Sequence, residues 1–137
     1  MVIMPLSHHI EKIDYRDPSW MCAAVRLIVT EACEPTFAEL LSIPNFAGDL
    51  AFGVPARNIC AWPSISETAA KALAHLIDTG EIDMLPCRPE VYAHADVQIP
   101  DLPLALGYGP FETPHWLPVK FRAIAIKTFA EHVRYDA

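Results

Sequence analysis

Long apolar runs and glycine are both scarce in this sequence, which has only five glycines among 137 residues. No apolar stretch reaches the roughly 18 residues that a membrane-spanning helix needs, since even the stretch 21–29 is interrupted by Arg26. Residues 1–17 combine neither a basic start nor a continuous apolar segment, so they do not predict a secretory signal. These absences predict a cytoplasmic protein with no membrane partner.

Sequence motifs typical of cofactor-binding proteins and of hydrolases are also absent. The sequence has no phosphate-binding glycine loop, no GxSxG and no HExxH. Its four cysteines form no CxxC pair and no Cys/His cluster with zinc-site spacing, and they are Cys22, Cys33, Cys60 and Cys87. We therefore predict reduced thiols that are buried or half-buried, and no catalytic residue, metal site or cofactor.

Basic side chains are the scarcer charge, with ten Lys and Arg against seventeen Asp and Glu and a net charge of −7. A uniform negative field repels phosphate backbones, which argues against nucleic-acid binding. Only the C-terminal segment, 113–137, carries more basic than acidic groups. Its cations Lys120, Lys127 and Arg134 are predicted to contact a partner, and residues 119–135 to form a homodimer interface.

Apolar residues and prolines are abundant instead. A chain of 137 residues that is 53% hydrophobic is of single-domain length and is expected to bury a real core. Thirteen prolines divide it, since each limits where a helix or an inner strand can run. We predict one domain with an N-terminal arm (1–17), a core (18–99), and a proline-rich connector followed by a terminal helix (100–137).

Apolar periodicity and capping residues predict three helices in the core. Asp17-Pro18-Ser19 precedes the first, over 20–33, and Glu34-Pro35-Thr36 precedes a shorter one, over 37–42. The third, over 67–79, follows two candidate N-caps and ends at Gly80, which can adopt the left-handed conformation that closes a helix. The stretch between the second and third helices, 43–63, holds three prolines and two glycines and is predicted to be a long loop.

Strands are predicted after Gly80. Residues 82–85 alternate in polarity, and residues 91–99 are apolar at every second position, so we expect a hairpin around Pro86-Cys87-Arg88-Pro89. In the tail, an amphipathic helix is predicted over 119–135, with Ile126, Phe129, Ala130 and Val133 on one face. The expected fold class is α+β.

The run SISETAAKALAHLIDTGEIDML, residues 64–85, resembles a winged helix-turn-helix domain, and the resemblance extends over about 20–99. It implies a three-helix core whose third helix enters the major groove, followed by a β-hairpin wing. Carried over by position, the residues expected to face DNA are Ser64, Ser66, Glu67, Thr68 and Lys71, with Arg88 at the wing tip.

Three functional hypotheses follow. The first is a non-enzymatic, winged-helix-like DNA-binding or regulatory protein. The second is an acidic protein-interaction module, such as an adaptor, a subunit or an inhibitor that presents carboxylates in place of nucleic-acid phosphates. The third is a papain-like amidase order of Cys22 followed by His115, in which a helix N-terminus would lower the pKa of the thiol.

Overall fold

The computed structural model describes residues 12–124. Its helices are α1 (Pro18–Glu31), α2 (Phe37–Leu40) and α3 (Glu67–Asp78). Its strands are β1 (Ala47–Val54), β2 (Ile59–Ile65), β3 (Ile82–Pro86), β4 (His115–Trp116) and β5 (Val119–Ala123), and short 3-10 helices cover Pro55–Arg57 and Pro89–Tyr92. The predicted α+β class is confirmed. None of the helices within residues 12–124 has the length and apolar character needed to cross a membrane.

The helix ends follow from local chemistry. Asp17 caps α1 by accepting a hydrogen bond from the backbone N–H of Ser19 at 2.9 Å, with Pro18 at the first helical position. Thr36 and Glu39 form a reciprocal capping box at the start of α2. At the end of α3, Gly80 has a φ of 76°, and the N–H groups of Gly80 and Glu81 return to the carbonyls of Ile77 and Leu76. The three predicted helices are thus present, each within two residues of its predicted start.

The prediction of a loop over 43–63 is wrong, because this stretch contains most of an antiparallel hairpin. β1 pairs with β2, and β4 pairs with β2 on its other side in parallel, giving the order β1-β2-β4. Pro63 is tolerated inside β2 because β4 reaches only the register of Ile59 and Cys60. Register shifts interrupt the ladder between β1 and β2. The irregular pairing goes with a sequence that lacks the regular polar and apolar alternation from which a strand is predicted.

The predicted hairpin over 82–99 is also wrong. β3 pairs antiparallel with β5, whose Phe121 lies opposite Met84, and residues 91–99 contain no strand. The expected terminal helix is wrong over 119–123, which form β5, while 125–137 lie outside the described residues. The alternating pattern Val-Lys-Phe-Arg-Ala is typical of a strand with one buried face. In β5, Val119 and Phe121 are buried, and Lys120 and Arg122 point outward.

The core is a cluster of stacked and edge-on aromatic rings. Phe37 at the start of α2 lies 5.7 Å from Trp62 and 5.1 Å from Phe121, measured between ring centroids. Tyr92 stacks on Trp62 with ring centroids 5.6 Å apart and meets Trp116 edge-on at 5.3 Å. These rings connect both sheets to α2 and to the 3-10 helix over Pro89–Tyr92. Their packing fixes the positions of these elements relative to one another.

Candidate functional site

The residues predicted to face DNA cluster at the start of α3, but most of their polar groups are engaged within the chain. Ser66 Oγ accepts a hydrogen bond from the N–H of Ala69 at 3.0 Å as the N-cap. Thr68 donates from Oγ1 to the carbonyl oxygen of Arg16 at 3.3 Å. Lys71 Nζ lies 2.9 Å from Glu67 Oε1, and this hydrogen bond lowers the pKa of Glu67. Ser64 is exposed at the end of β2.

Most cations in the described part of the chain are neutralised by a neighbouring carboxylate. The six ion pairs have N···O distances between 2.8 and 3.2 Å, and they join Arg16 to Asp14, Arg26 to Glu81, Lys71 to Glu67, Arg88 to Glu90, Lys120 to Glu34 and Arg122 to Asp83. Arg88, the expected wing tip, is thus paired with Glu90. Lys120 is paired with Glu34, while Lys127 and Arg134, the other two predicted partner contacts, lie outside the described residues.

A groove of about 420 Å³ lies between α1 and α3, and we call it the basic groove. It is lined by Pro18, Ser19, Cys22, Arg26, Lys71, Ala72 and His75. Two of its cations, Arg26 and Lys71, are the ones paired with Glu81 and Glu67. Arg26 and Lys71 therefore lie beside α3, but the adjacent carboxylates compensate most of their positive charge.

The structure does not join Cys22 to His115. Cys22 is buried against α3, where its Sγ donates to the carbonyl oxygen of Ala72 at 3.9 Å, and burial raises the pKa of its thiol. A raised thiol pKa opposes the thiolate formation that a nucleophile requires. His115 lies in β4, stacked on Phe111 with ring centroids 4.1 Å apart, and its Nδ1 is 2.8 Å from the carbonyl oxygen of Thr113.

The other cysteines only partly follow the expectation of buried thiols. Cys60 is buried and Cys87 is half-buried, and burial raises the pKa of both thiols. Cys33 is exposed, contrary to the prediction, because it lies just beyond the end of α1. Within residues 12–124, no group of three or more His, Cys, Asp and Glu side chains is placed to hold a metal ion.

A second groove, of about 530 Å³, has a different character, and we call it the acidic groove. Its residues come from the end of α1, from α2 and the residue two positions beyond it, and from the turn that follows the second 3-10 helix. They are Ile28, Glu31, Ala32, Ala38, Glu39, Ser42, Ala95, Asp96 and Val97. Three of the nine are carboxylates and none is Lys, Arg or His, so the groove combines an apolar floor with a negative rim.

The walls of the acidic groove are tied together by Tyr92. Its hydroxyl donates to the carbonyl oxygen of Val119 at 2.8 Å and accepts from the N–H of Phe37 at 3.3 Å, which joins the turn to β5 and α2. The N–H of Ala95 then bonds to the carbonyl oxygen of Tyr92 at 3.2 Å. On the opposite wall, Glu39 Oε1 accepts from the N–H of Thr36 at 2.6 Å. The groove is therefore formed by ordered backbone.

Another exposed feature is the loop around Tyr108. Arg57 donates through Nε to the carbonyl oxygen of Tyr108 and through Nη2 to that of Gly109 at 3.2 Å. Asn58 Nδ2 donates to the carbonyl oxygen of Phe111 at 2.8 Å. These bonds hold the loop to the turn between β1 and β2, while Leu106 remains 88% exposed.

Sequence reasoning missed the acidic groove. Its residues are spread over 28–97, and their apolar members lie on elements whose packing depends on the aromatic core. The local signal that could be read is the T-x-x-E capping box at 36–39, which fixes the start of α2.

No known protein family, curated protein or solved structure matches the chain.

Proposed function

We propose that this chain is an acidic protein-interaction module that binds a protein partner through a carboxylate-bearing surface. The observation that carries the proposal is the unequal use of charge within residues 12–124. Six cations there form ion pairs, whereas eight exposed carboxylates form none within the same residues: Asp17, Glu31, Glu39, Asp49, Asp78, Asp96, Asp101 and Glu112.

Such a surface favours a basic protein over a nucleic acid. Unpaired carboxylates steer cationic partners towards the chain and repel phosphate groups, and the effect scales with the uncompensated charge. The pairing of Lys71 and Arg88 further reduces the cationic charge that the predicted DNA-facing residues can offer. An adaptor or a subunit of an assembly is consistent with this surface, as is an inhibitor that occupies a nucleic-acid-binding partner.

The test is co-purification of the tagged full chain with its partner from the cells that express it. The wild-type chain is compared with a variant carrying Glu31→Gln, Asp49→Asn, Asp78→Asn and Asp96→Asn, four exposed positions where the change removes charge with little change of shape. We expect one protein to be recovered with the wild type at a near-equal molar amount, and much less with the variant. Recovery of no such protein, or equal recovery with the variant, would contradict the proposal.

A second candidate function is duplex DNA binding by α3 in a winged-helix-like arrangement. It is favoured by one observation: the capped α3 is followed by β3, which pairs with β5, so two antiparallel strands stand after the helix as in that family. In this alternative the wing consists of β3 and β5, and the homodimer contact over 119–135 stays a prediction from the sequence.

DNA binding is tested by titrating a labelled duplex at about 50 mM salt, where nonspecific phosphate contacts are strong. If α3 binds DNA, affinity falls steeply with rising salt, and Lys71→Ala with Arg88→Ala makes that dependence shallower. The absence of any duplex binding at this salt concentration would rule the second candidate out and leave the first unaffected.

A further inference from the structure

We propose that the acidic groove binds a basic amphipathic helix of the protein partner, with an apolar side chain of that helix on the groove floor and Lys or Arg side chains against the rim. This inference rests on the proposed function and names the site and the chemistry of the partner. Its parts are the half-buried floor residues Ile28, Ala32, Ala38 and Val97 and the exposed rim residues Glu31, Glu39 and Asp96.

The floor is suited to one or two aliphatic side chains. A volume of about 530 Å³ lies within the range in which proteins bind apolar groups. Ala32, just after α1, and Ala38, on α2, have small side chains, which leaves room for an incoming side chain to reach Ile28 and Val97. Removing such a side chain from water is the main source of affinity in a helix-in-groove complex.

The rim determines the charge of the occupant. Glu31 ends α1, Glu39 lies on α2 and Asp96 lies in the turn after the second 3-10 helix, so the three carboxylates of the groove come from three different elements. None of the described residues that line the groove is cationic, in contrast to the basic groove between α1 and α3. Lys or Arg side chains on the occupant would meet carboxylates that have no ion pair within the described residues.

The walls favour a helical rather than an extended occupant. Extended peptides are commonly bound by adding a strand to a sheet edge or by docking in an aromatic-lined groove, and none of the described residues that line this groove belongs to a strand or is aromatic. A helix satisfies its own backbone hydrogen bonds and needs only side-chain contacts from the groove.

The test uses synthetic peptides and the full chain. The probe is a fluorescently labelled peptide of about 18 residues that carries Leu at helical spacing and Lys or Arg elsewhere, and the control peptide has the same composition in scrambled order. Three variants are compared with the wild type: Glu31→Lys, Asp96→Lys, and Ala38→Met to fill the floor. The matched control is Asp101→Lys, an exposed carboxylate outside the groove. Urea unfolding checks that each variant is folded.

We expect the amphipathic peptide to bind the wild type more tightly than the scrambled one, and each of the three groove variants to weaken binding by at least about fivefold. Asp101→Lys should weaken it by less than about twofold because exposed charges at a distance are screened. Equal binding of the scrambled peptide, an equal effect of Asp101→Lys, or no binding at all would overturn the inference. The proposed function would then still be decided by co-purification, since a partner can bind another face of the chain.

Discussion

Tyr92 donates a hydrogen bond from its phenolic oxygen to the carbonyl oxygen of Val119 at 2.8 Å, across 27 residues of sequence. The same oxygen accepts from the N–H of Phe37, and the ring contacts both Trp62 and Trp116. One side chain thus connects β5, α2 and the turn that forms a wall of the acidic groove. Both the stability of the fold and the shape of the groove depend on this contact.

Replacing Tyr92 with Phe should destabilise the chain by about 1–3 kcal/mol, because the buried N–H of Phe37 and the carbonyl of Val119 would both lose a partner. The aromatic packing is retained, so the loss reports on the hydroxyl. The free energy of unfolding in urea measures it. Tyr108→Phe is the matched control, since Tyr108 is 60% exposed and should leave the midpoint nearly unchanged. Equal midpoints for Tyr92→Phe and wild type would contradict the role given to this hydroxyl.

Tyr92 should also give the chain a distinctive loss of stability in alkali. Burial raises the pKa of Tyr92 from an ordinary 10.0 to about 12 in the folded state. Below pH 10 both states keep the proton, but between about 10 and 12 the unfolded state loses it first, so the free energy of unfolding falls as pH rises. Above the folded-state pKa this contribution to the slope disappears.

The measurement is the pH dependence of urea unfolding for the wild type and for Tyr92→Phe. The difference between the two curves should shrink as pH rises through this range, since only the wild type loses the stabilisation. A difference that stays constant from neutral pH into this range would show that the phenol is not protected from solvent as described.

Gly53 should not tolerate a side chain. A Cβ added at Gly53 would overlap the backbone carbonyl oxygen of Ile59 on the neighbouring strand, so Gly53→Ala should cost at least about 1–3 kcal/mol. Gly107 is the matched control, because an added Cβ there meets no atom within 4 Å, and Gly107→Ala should leave stability unchanged or raise it by up to about 1 kcal/mol. Thermal unfolding distinguishes the two. Similar melting temperatures would place the close contact between β1 and β2 in doubt.

The two serines before α3 should differ in their contribution to folding. Ser66→Ala removes the cap on the N–H of Ala69 and should cost about 1 kcal/mol. Ser64→Ala changes an exposed side chain and should stay within about 0.5 kcal/mol of the wild type. The same pair of variants is informative for duplex binding, since a DNA contact by Ser64 would weaken binding without lowering stability. Equal stability losses would contradict the assignment of Ser66 as the cap.

The sequence allowed the helices to be predicted because their determinants are local. Asp17, Ser66 and Gly80 act within a few residues of their position in the chain, through caps and a left-handed closing residue. The partner of β3 could not be predicted in this way. Residues 91–99 alternate in polarity like a strand and are closer to β3 in the sequence, but β3 pairs with 119–123 instead. Of residues 91–99, only Tyr92 is buried in the core.

The candidate site was harder to predict than the fold. Glu31, Glu39 and Asp96 are separated widely in sequence, and they border one groove only because Tyr92 holds its turn against α2 and β5. The sequence did predict an acidic surface, from its net charge of −7. It could not show which carboxylates are neutralised, since pairs such as Arg26 with Glu81 join elements far apart in the chain.

The most direct test of the central claim is zero-length carbodiimide cross-linking of the chain to its co-purified partner, because this reagent joins carboxylates to amines already in contact. The ion pairs of Lys120 with Glu34 and Lys71 with Glu67, both at 2.9 Å, provide internal controls for the reaction. The account predicts links from Glu31, Glu39 or Asp96 to lysines of the partner. Links that join the partner only through amines of this chain, such as Lys71, would contradict it.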